Sequence, residues 1–547
     1  MRVKLRHIII AISFFIIWYG YGMMVDDRLY IYEGGSIHYL VMAKFLAVEH
    51  SYWELNYPTP RPEVKTPLGF SLMIAPLYLV FGYNILMIKI MIFSFLILGT
   101  IFGYLFFQRL SNDWKISLII LLAGYLAPVS YNLNLKITPE IPFLALTYIS
   151  LYLLFKSEDS KFSLFKAFII GAIIGFNCLI RSAGMPLILS ITAFIFYKLF
   201  IRKSRAFLAH YLLILLTAGF FISPWIIWSN RVSNRVKGEG LFTYLDIVFC
   251  RGDYPSLELG LLDFRPPLWS GPEKINFPEF AQRLYRNTVF YIKGFAEPTG
   301  NKIYSKILFY LLPFAFLGAF IKMSRNLILN LYGILYLVLI ISYPYPDQRF
   351  LSPIYSIILF WSIEGLSFLK DRYIQGRRYF YFLYGLGIIL IIASIAQSIY
   401  TDYNIWHSVK RASHFRTYQV NEHFTIVPLT QARANYVSLL KYINESTNKD
   451  EIFATLCTHC VYLVTGRKAV QFPITKDSKQ FWEYFRINNV RYIIIDEIYK
   501  DIEIGYPSIM PLYAIPQLEH CPYELKKEYQ IPFSQTMLLS ISGYGEN

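Results

Sequence analysis

Charge is scarce in this sequence. Only 16% of its 547 residues are Asp, Glu, Lys or Arg, whereas a soluble chain of ordinary composition carries about a quarter. Cysteine is scarcer still, and five in such a length exclude a disulfide-dense fold. No Gly-rich phosphate loop or Walker pattern occurs, which argues against ATP-driven work. There is no internal period of about 20–50 residues and no low-complexity linker, so neither a solenoid nor a string of tethered modules is expected.

What is abundant is hydrocarbon. The chain is 55% hydrophobic and 18% aromatic. Blocks rich in Ile, Leu and Phe, long enough to cross ~30 Å of lipid, recur along the first four hundred residues. These features specify a polytopic α-helical membrane protein. A window of ~17–25 residues gives about eleven spans, near 8–24, 84–107, 116–131, 141–155, 167–180, 183–200, 207–228, 304–321, 326–342, 350–368 and 379–399.

The net charge of +16 does not point to nucleic acid, because the basic residues sit in short loops between apolar blocks. With the N-terminus in the cytoplasm, "QRLSNDWK", "KSEDSKFSLFK", "YKLFIRKSRAF", "KMSRN" and "KDRYIQGRR" all fall on the inner side, as orientation by charge requires. An odd number of spans then places the tail outside. "MRVKLRH" runs straight into a long first span and lacks a small-residue cleavage site, so it reads as a retained anchor in a plasma (inner) membrane.

The expected organisation is a membrane module over 1–400, with outer loops at 25–83 and 229–303, and a soluble extracytoplasmic α/β domain over 401–547. Within the first loop, "TPLGFSLMIAPLYLVFG", with Pro67 and Pro76, reads as a helix lying along the interface. A twelfth span is the alternative. In the tail, "ANYVSLLKYINES" and "KQFWEYFRINN" have helical spacing, and "EIFATL", "KAVQF" and "VRYIIIDE" are short β-rich runs.

Several ionisable residues gather on the outer face of this topology. Asp26, Asp27 and Glu33 follow the first span, Lys65 stands in "PEVKTPLGF", Glu140 in "KITPE", Arg181 in "LIRSAGMP" and Arg349 in "YPYPDQRF". Each alone is most simply a solvated helix end. Together, carboxylates from two loops and cations from three others suit group transfer from a lipid phosphate. A carboxylate takes the acceptor's proton or holds a divalent cation, and Lys and Arg stabilise the growing phosphate charge.

The chain resembles the C-type (GT-C fold) glycosyltransferases of the protein O-mannosyltransferase and lipid A aminoarabinose transferase group. The likeness lies in "HYLVMAKFLA", "VKTPLGFSLMIAPLYLVFG", "ITPEIPFLALTYISLYLLF", "LIRSAGMPLIL", "FFISPWIIWSN", "RFLSPIYSIIL", and "VYLVTGRKAVQFP" with "VRYIIIDE". It implies transfer of a sugar from a polyprenyl-phosphate donor to an extracytoplasmic glycan, lipid or protein, by direct displacement with inversion. By this resemblance Glu140 matches the second-loop acid, Lys65 the lysine that contacts the lipid phosphate, and Arg349 a phosphate or sugar contact; Arg181, on the same face, is a further candidate for binding substrate. Asp27 is the first choice for the first-loop acid, with Asp26 and Glu33 beside it, and Asp27 and Glu140 would share a divalent cation (Mg or Mn). The family's frame of an Asp four residues before a Tyr falls on Gly35 and Tyr39, with Ala43 as the following small residue. The alternative Asp26–Tyr30 frame is followed by Gly34. The rival class is a non-catalytic protein that binds or transports lipid-linked sugar, for which inverted repeats are expected; none is visible.

Three lesser features complete the reading. Cys457 and Cys460 in "CTHC" suit an exported disulfide, a redox pair or half of a zinc site; with no second ligand pair in view, buried thiols or a simple disulfide are expected. His38 reads as interfacial packing, and Asn444 in "NES" as a chance glycosylation sequon.

Overall fold

The computed structural model describes residues 2–31, 34–64, 66–127, 130, 133, 136–157, 163–201, 203, 208–235, 275–296, 302–321, 323, 326–344, 346–373, 395–396, 399–400, 403–404, 406–407, 417–428, 430–473, 475–497 and 514–543. In chain order its helices are α1 (Arg2–Gly22), α2 (Gly34–Val48), α3 (Gly69–Phe81), α4 (Ile85–Ser111), α5 (Trp114–Tyr125), α6 (Glu140–Ser157), α7 (Leu164–Ile180), α8 (Met185–Phe196), α9 (Leu208–Arg235), α10 (Phe277–Ala296), α11 (Lys302–Ile321), α12 (Leu327–Ser342) and α13 (Ser352–Tyr373). Those of the tail are α14 (Gln431–Ser446), α15 (Thr458–Thr465) and α16 (Ser478–Ile487). The first ten expected spans fall on α1, α4 to α9 and α11 to α13. The eleventh, 379–399, lies largely outside the described residues.

Among the described residues, five helical stretches are long and apolar enough to cross a membrane: Leu5–Gly22, Ile85–Ser111, Ser182–Ile201, Leu208–Val232 and Gln348–Lys370. Shorter apolar helices lie beside them, α5, α7 and α12 included. Their outward faces carry Phe15, Leu216, Phe220 and Phe316, all exposed. Large apolar side chains on the outside of a helical bundle suit a lipid solvent, and the chain is an integral membrane protein.

Local chemistry sets the helix ends. Asn84 caps α4 by accepting from Met87 N at 3.1 Å, and Asn112 closes it in the left-handed region. Small residues then let the helices approach. A Cβ on Gly171 or Gly175 of α7 would fall 2.6 Å from the Ile214 carbonyl or 2.9 Å from that of Ala218, both on α9. Such four-residue spacing of glycines lets backbones touch where no hydrophobic drive exists between helices. The expected interface helix is α3, whose thirteen residues rise only ~20 Å, less than the hydrocarbon thickness.

The tail is not built from its own residues alone. Strand β1 (Arg28–Ile31), just after the first span, pairs in parallel with β5 (Phe424–Pro428), and β4 (Tyr418–Asn421) completes a three-stranded sheet in the order β1-β5-β4. The first loop also holds a short ribbon of β2 (Trp53–Glu54) and β3 (Arg61–Pro62). A second sheet runs β7-β6-β8-β10-β9, from β6 (Ile452–Ala454), β7 (Ala469–Val470), β8 (Val490–Ile495), β9 (Glu524–Gln530) and β10 (Met537–Ser542). The helices and strands read from the tail sequence are all present. One buried cluster runs from Ile17 and Tyr21 of α1 through to Tyr436 and Leu440 of α14, so tail and membrane helices share a core.

Candidate functional site

Glu140 is the first residue of α6 and Arg181 stands at the C-terminal end of α7. A carboxylate is favoured where backbone N–H groups are left over, and a guanidinium where carbonyls are. The tertiary structure brings these two ends together, with Arg181 Nη1 2.7 Å from Glu140 Oε1. Arg349 Nε approaches the same oxygen at 3.9 Å. Glu140 is buried with the Thr138 side chain beside it, and its Oε2 makes no hydrogen bond of ordinary geometry among the described residues.

Arg349 lies in a turn of 3-10 helix, Gln348–Leu351, that leads into α13. Asp347 caps this turn by accepting from Arg349 N at 2.9 Å, and its other oxygen lies 2.7 Å from Arg349 Nε. The Arg349 side chain keeps 29% of its surface exposed. Phe350 lies beneath both guanidiniums, 5.2 Å from that of Arg181 and 5.4 Å from that of Arg349. Helix α10 braces this arrangement: Asn287 donates to the carbonyls of Ile341 and Tyr343, and Tyr291 accepts from Asp347 N. The result is a buried carboxylate, a half-exposed carboxylate and two arginines, one of them accessible. Two guanidiniums beside an apolar surface are suited to a phosphate oxygen.

The first-loop acids are placed differently. Asp26 accepts from Lys89 Nζ at 2.5 Å, from the Tyr30 hydroxyl at 2.8 Å and from Arg28 N at 3.2 Å. Burial, and after it the Asp26 charge, push the Tyr30 phenol well above its ordinary range, which keeps it a donor. Asp27 presents its carbonyl to Thr425 N at the start of the β1–β5 pairing. No hydrogen bond or ion pair among the described residues joins Asp26 or Asp27 to Glu140. Glu33 and Lys65 lie outside the described residues. Gly35 and Tyr39 of the alternative frame lie on α2, where Tyr39 packs edge-on against Phe70 at 5.0 Å.

Sequence reasoning missed a second polar cluster. His38, read as interfacial packing, is instead buried against His459 and close to Glu63 and Thr66. Among the described residues, His38, Glu54 and His459 form the group of three donors able to hold a metal ion; neither Asp27 nor Glu140 belongs to it. Cys457 and Cys460, one residue on either side of the segment Thr458–His459, are joined as a disulfide. The pattern "CTHC" held the signal, but the partners of His459 come from the first loop. Asp347 was legible too, two residues before Arg349 at a helix start.

No family model and no curated protein sequence matches the chain. Solved structures do. ArnT from Cupriavidus metallidurans in the apo state is similar over 98% of this chain and 97% of that one, with a TM-score of 0.54 at 10% identity. The same enzyme bound to undecaprenyl phosphate gives a TM-score of 0.53 at 11% identity. The Archaeoglobus fulgidus oligosaccharyltransferase in complex with Zn and sulfate is similar over 95% of this chain and 72% of that one, with a TM-score of 0.51 at 12% identity. At such identities the likeness establishes the fold. It is the GT-C fold expected from the sequence resemblance.

Proposed function

We propose that the chain is a membrane glycosyltransferase that moves a sugar from a polyprenyl-phosphate donor to an extracytoplasmic acceptor. The observation that carries the reading is the Glu140–Arg181–Arg349 cluster at three helix ends, in a fold shared with an enzyme solved bound to undecaprenyl phosphate. Arg349, accessible at the rim, contacts the donor phosphate together with Lys65. Arg181 holds Glu140 and lends its charge to the same field. A first-loop acid is the base, with Asp27 and Glu33 the candidates, because Asp26 is already held by Lys89 and Tyr30.

In the reaction the acceptor oxygen attacks the anomeric carbon while the bond from that carbon to the phosphate oxygen breaks. The acceptor's proton passes to the carboxylate, and polyprenyl phosphate leaves with the electron pair. Attack opposite the leaving group inverts the anomeric configuration. Asp27 and Glu140 are the residues proposed to share a Mg or Mn ion, which when bound would add positive charge near the phosphate. The module faces outward from a plasma (inner) membrane.

The test uses purified protein with radiolabelled polyprenyl-phosphate sugars. Release of free polyprenyl phosphate and a product of inverted anomeric configuration are expected, with release lost in Glu140→Gln. Arg349→Ala and Lys65→Ala should each weaken donor binding about ten-fold or more, the cost of a charge-assisted contact. Binding of donor with no release from any sugar class would support a non-catalytic binding protein instead.

A further inference from the structure

Two neighbouring elements of the first loop and one of the tail converge. Helix α2 brings His38, β2 brings Glu54, and the start of α15 brings His459. They are 1%, 5% and 5% exposed. One ligand atom from each lies within 4.8 Å of the other two. We propose that His38, Glu54 and His459 bind a zinc-type divalent cation that fastens the tail to the first loop.

The spacing is the first argument. His38 Nδ1 lies 3.2 Å from His459 Nε2, which lies 3.3 Å from Glu54 Oε1. A tetrahedral ion with bonds of about 2.0–2.1 Å sets its ligand atoms roughly 3.3 Å apart. Hydrogen bonding fits these contacts less well. His459 Nε2 carries either one proton or one lone pair, so as a hydrogen-bonding atom it can donate to Glu54 or accept from His38 but not do both. As ligands, all three atoms turn lone pairs towards one centre.

The surroundings are the second argument. The far nitrogen of His38, Nε2, lies 3.0 Å from Thr66 Oγ1 and 3.7 Å from Glu63 Oε2. Glu63 is itself fixed by accepting from Thr66 N at 2.9 Å. Metal-bound histidines characteristically give their second N–H to a carboxylate or other oxygen, which sets the tautomer and aims the ligating nitrogen. The Cys457–Cys460 disulfide closes the loop that presents His459. Two imidazoles and a carboxylate at this spacing favour zinc over the harder cations, and three protein donors leave the fourth corner to water or another small ligand.

The ion would fasten more than the tail. On α2, Ser36 Oγ accepts from Ile137 N at 3.1 Å, three residues before Glu140. The helix that carries His38 therefore also supports the loop that carries Glu140.

The test uses the full-length protein in detergent, stripped with a chelator, reloaded with zinc or cobalt(II) and dialysed. About one zinc per chain should survive dialysis, and the cobalt form should show the visible absorption of a tetrahedral nitrogen and oxygen site. His459→Gln and Glu54→Gln should each weaken retention at least ten- to hundred-fold, roughly the cost of losing even a supporting partner of a ligand. The exposed Glu445→Gln should retain the ion like the parent. Less than about a tenth of an equivalent in the parent protein would overturn the proposal, whatever the variants do. So would full retention in both ligand variants, or a cobalt spectrum dominated by sulfur, which would move the metal to reduced Cys457 and Cys460.

Discussion

Arg181 and Glu140 meet at opposite helix ends, the C-terminus of α7 against the N-terminus of α6, across 2.7 Å. The pair is buried enough that breaking it from one side strands a charge. Removing one partner of a buried ion pair typically costs about 3–5 kcal/mol, whereas replacing both is far milder. Arg349 at 3.9 Å shares the load, so Arg181→Met should fall near the lower end of that range. Arg181→Met combined with Glu140→Gln should be more stable than Arg181→Met alone, measured as the unfolding midpoint in detergent. A double variant whose loss equals the sum of the two single losses would show that the residues are not coupled.

Asp26 and Lys89 form a separate pair at the mouth of the first span. Lys89 is buried within α4, so Asp26→Asn removes its hydrogen-bonded counter-charge, leaving only the weaker influence of Asp27, and should lower the unfolding midpoint. Adding Lys89→Met should restore much of the loss, with turnover per folded molecule little changed in both. By contrast, Asp27→Asn or Glu33→Gln should cut turnover while the fold stays intact. Abolished turnover in Asp26→Asn at an unchanged midpoint would assign Asp26 to the chemistry, and full activity in the other two would remove the first-loop base.

Orientation follows from the basic loops. Reporter fusions placed after Arg378 and after Asp402 should report opposite sides of the membrane, with the first inside. The same side for both would overturn the proposed orientation, and with it the outward placement of the Glu140–Arg181–Arg349 cluster.

The architecture was legible because its causes are local. A lipid solvent forces each spanning segment to satisfy its own backbone hydrogen bonds, so length and apolarity alone mark α1, α4 to α9 and α11 to α13, and miss the amphipathic α10 inside the 229–303 loop. The same holds for the tail's short strands and helices, whose patterns are read within a few residues. Glu140, Arg181 and Arg349 could be nominated because ionisable residues at the ends of apolar runs stand out against their neighbours.

Which of those residues touch was decided by tertiary structure alone. In the sequence Lys89 is one cation inside an apolar run, and only the packing of α4 against the segment holding Asp26 gives it a partner. Strand β1 follows the first span, yet its partner β5 begins at Phe424, and no spacing rule links them. His38 and His459 are 421 residues apart in sequence, and His38 is a lone histidine on a largely apolar helix. Its polar surroundings exist only once β2 and α15 close over it. The sequence by itself determined which segments enter the membrane, since each does so by its own composition. The folded chain decided which charges are paired, because pairing depends on distances that no single segment contains.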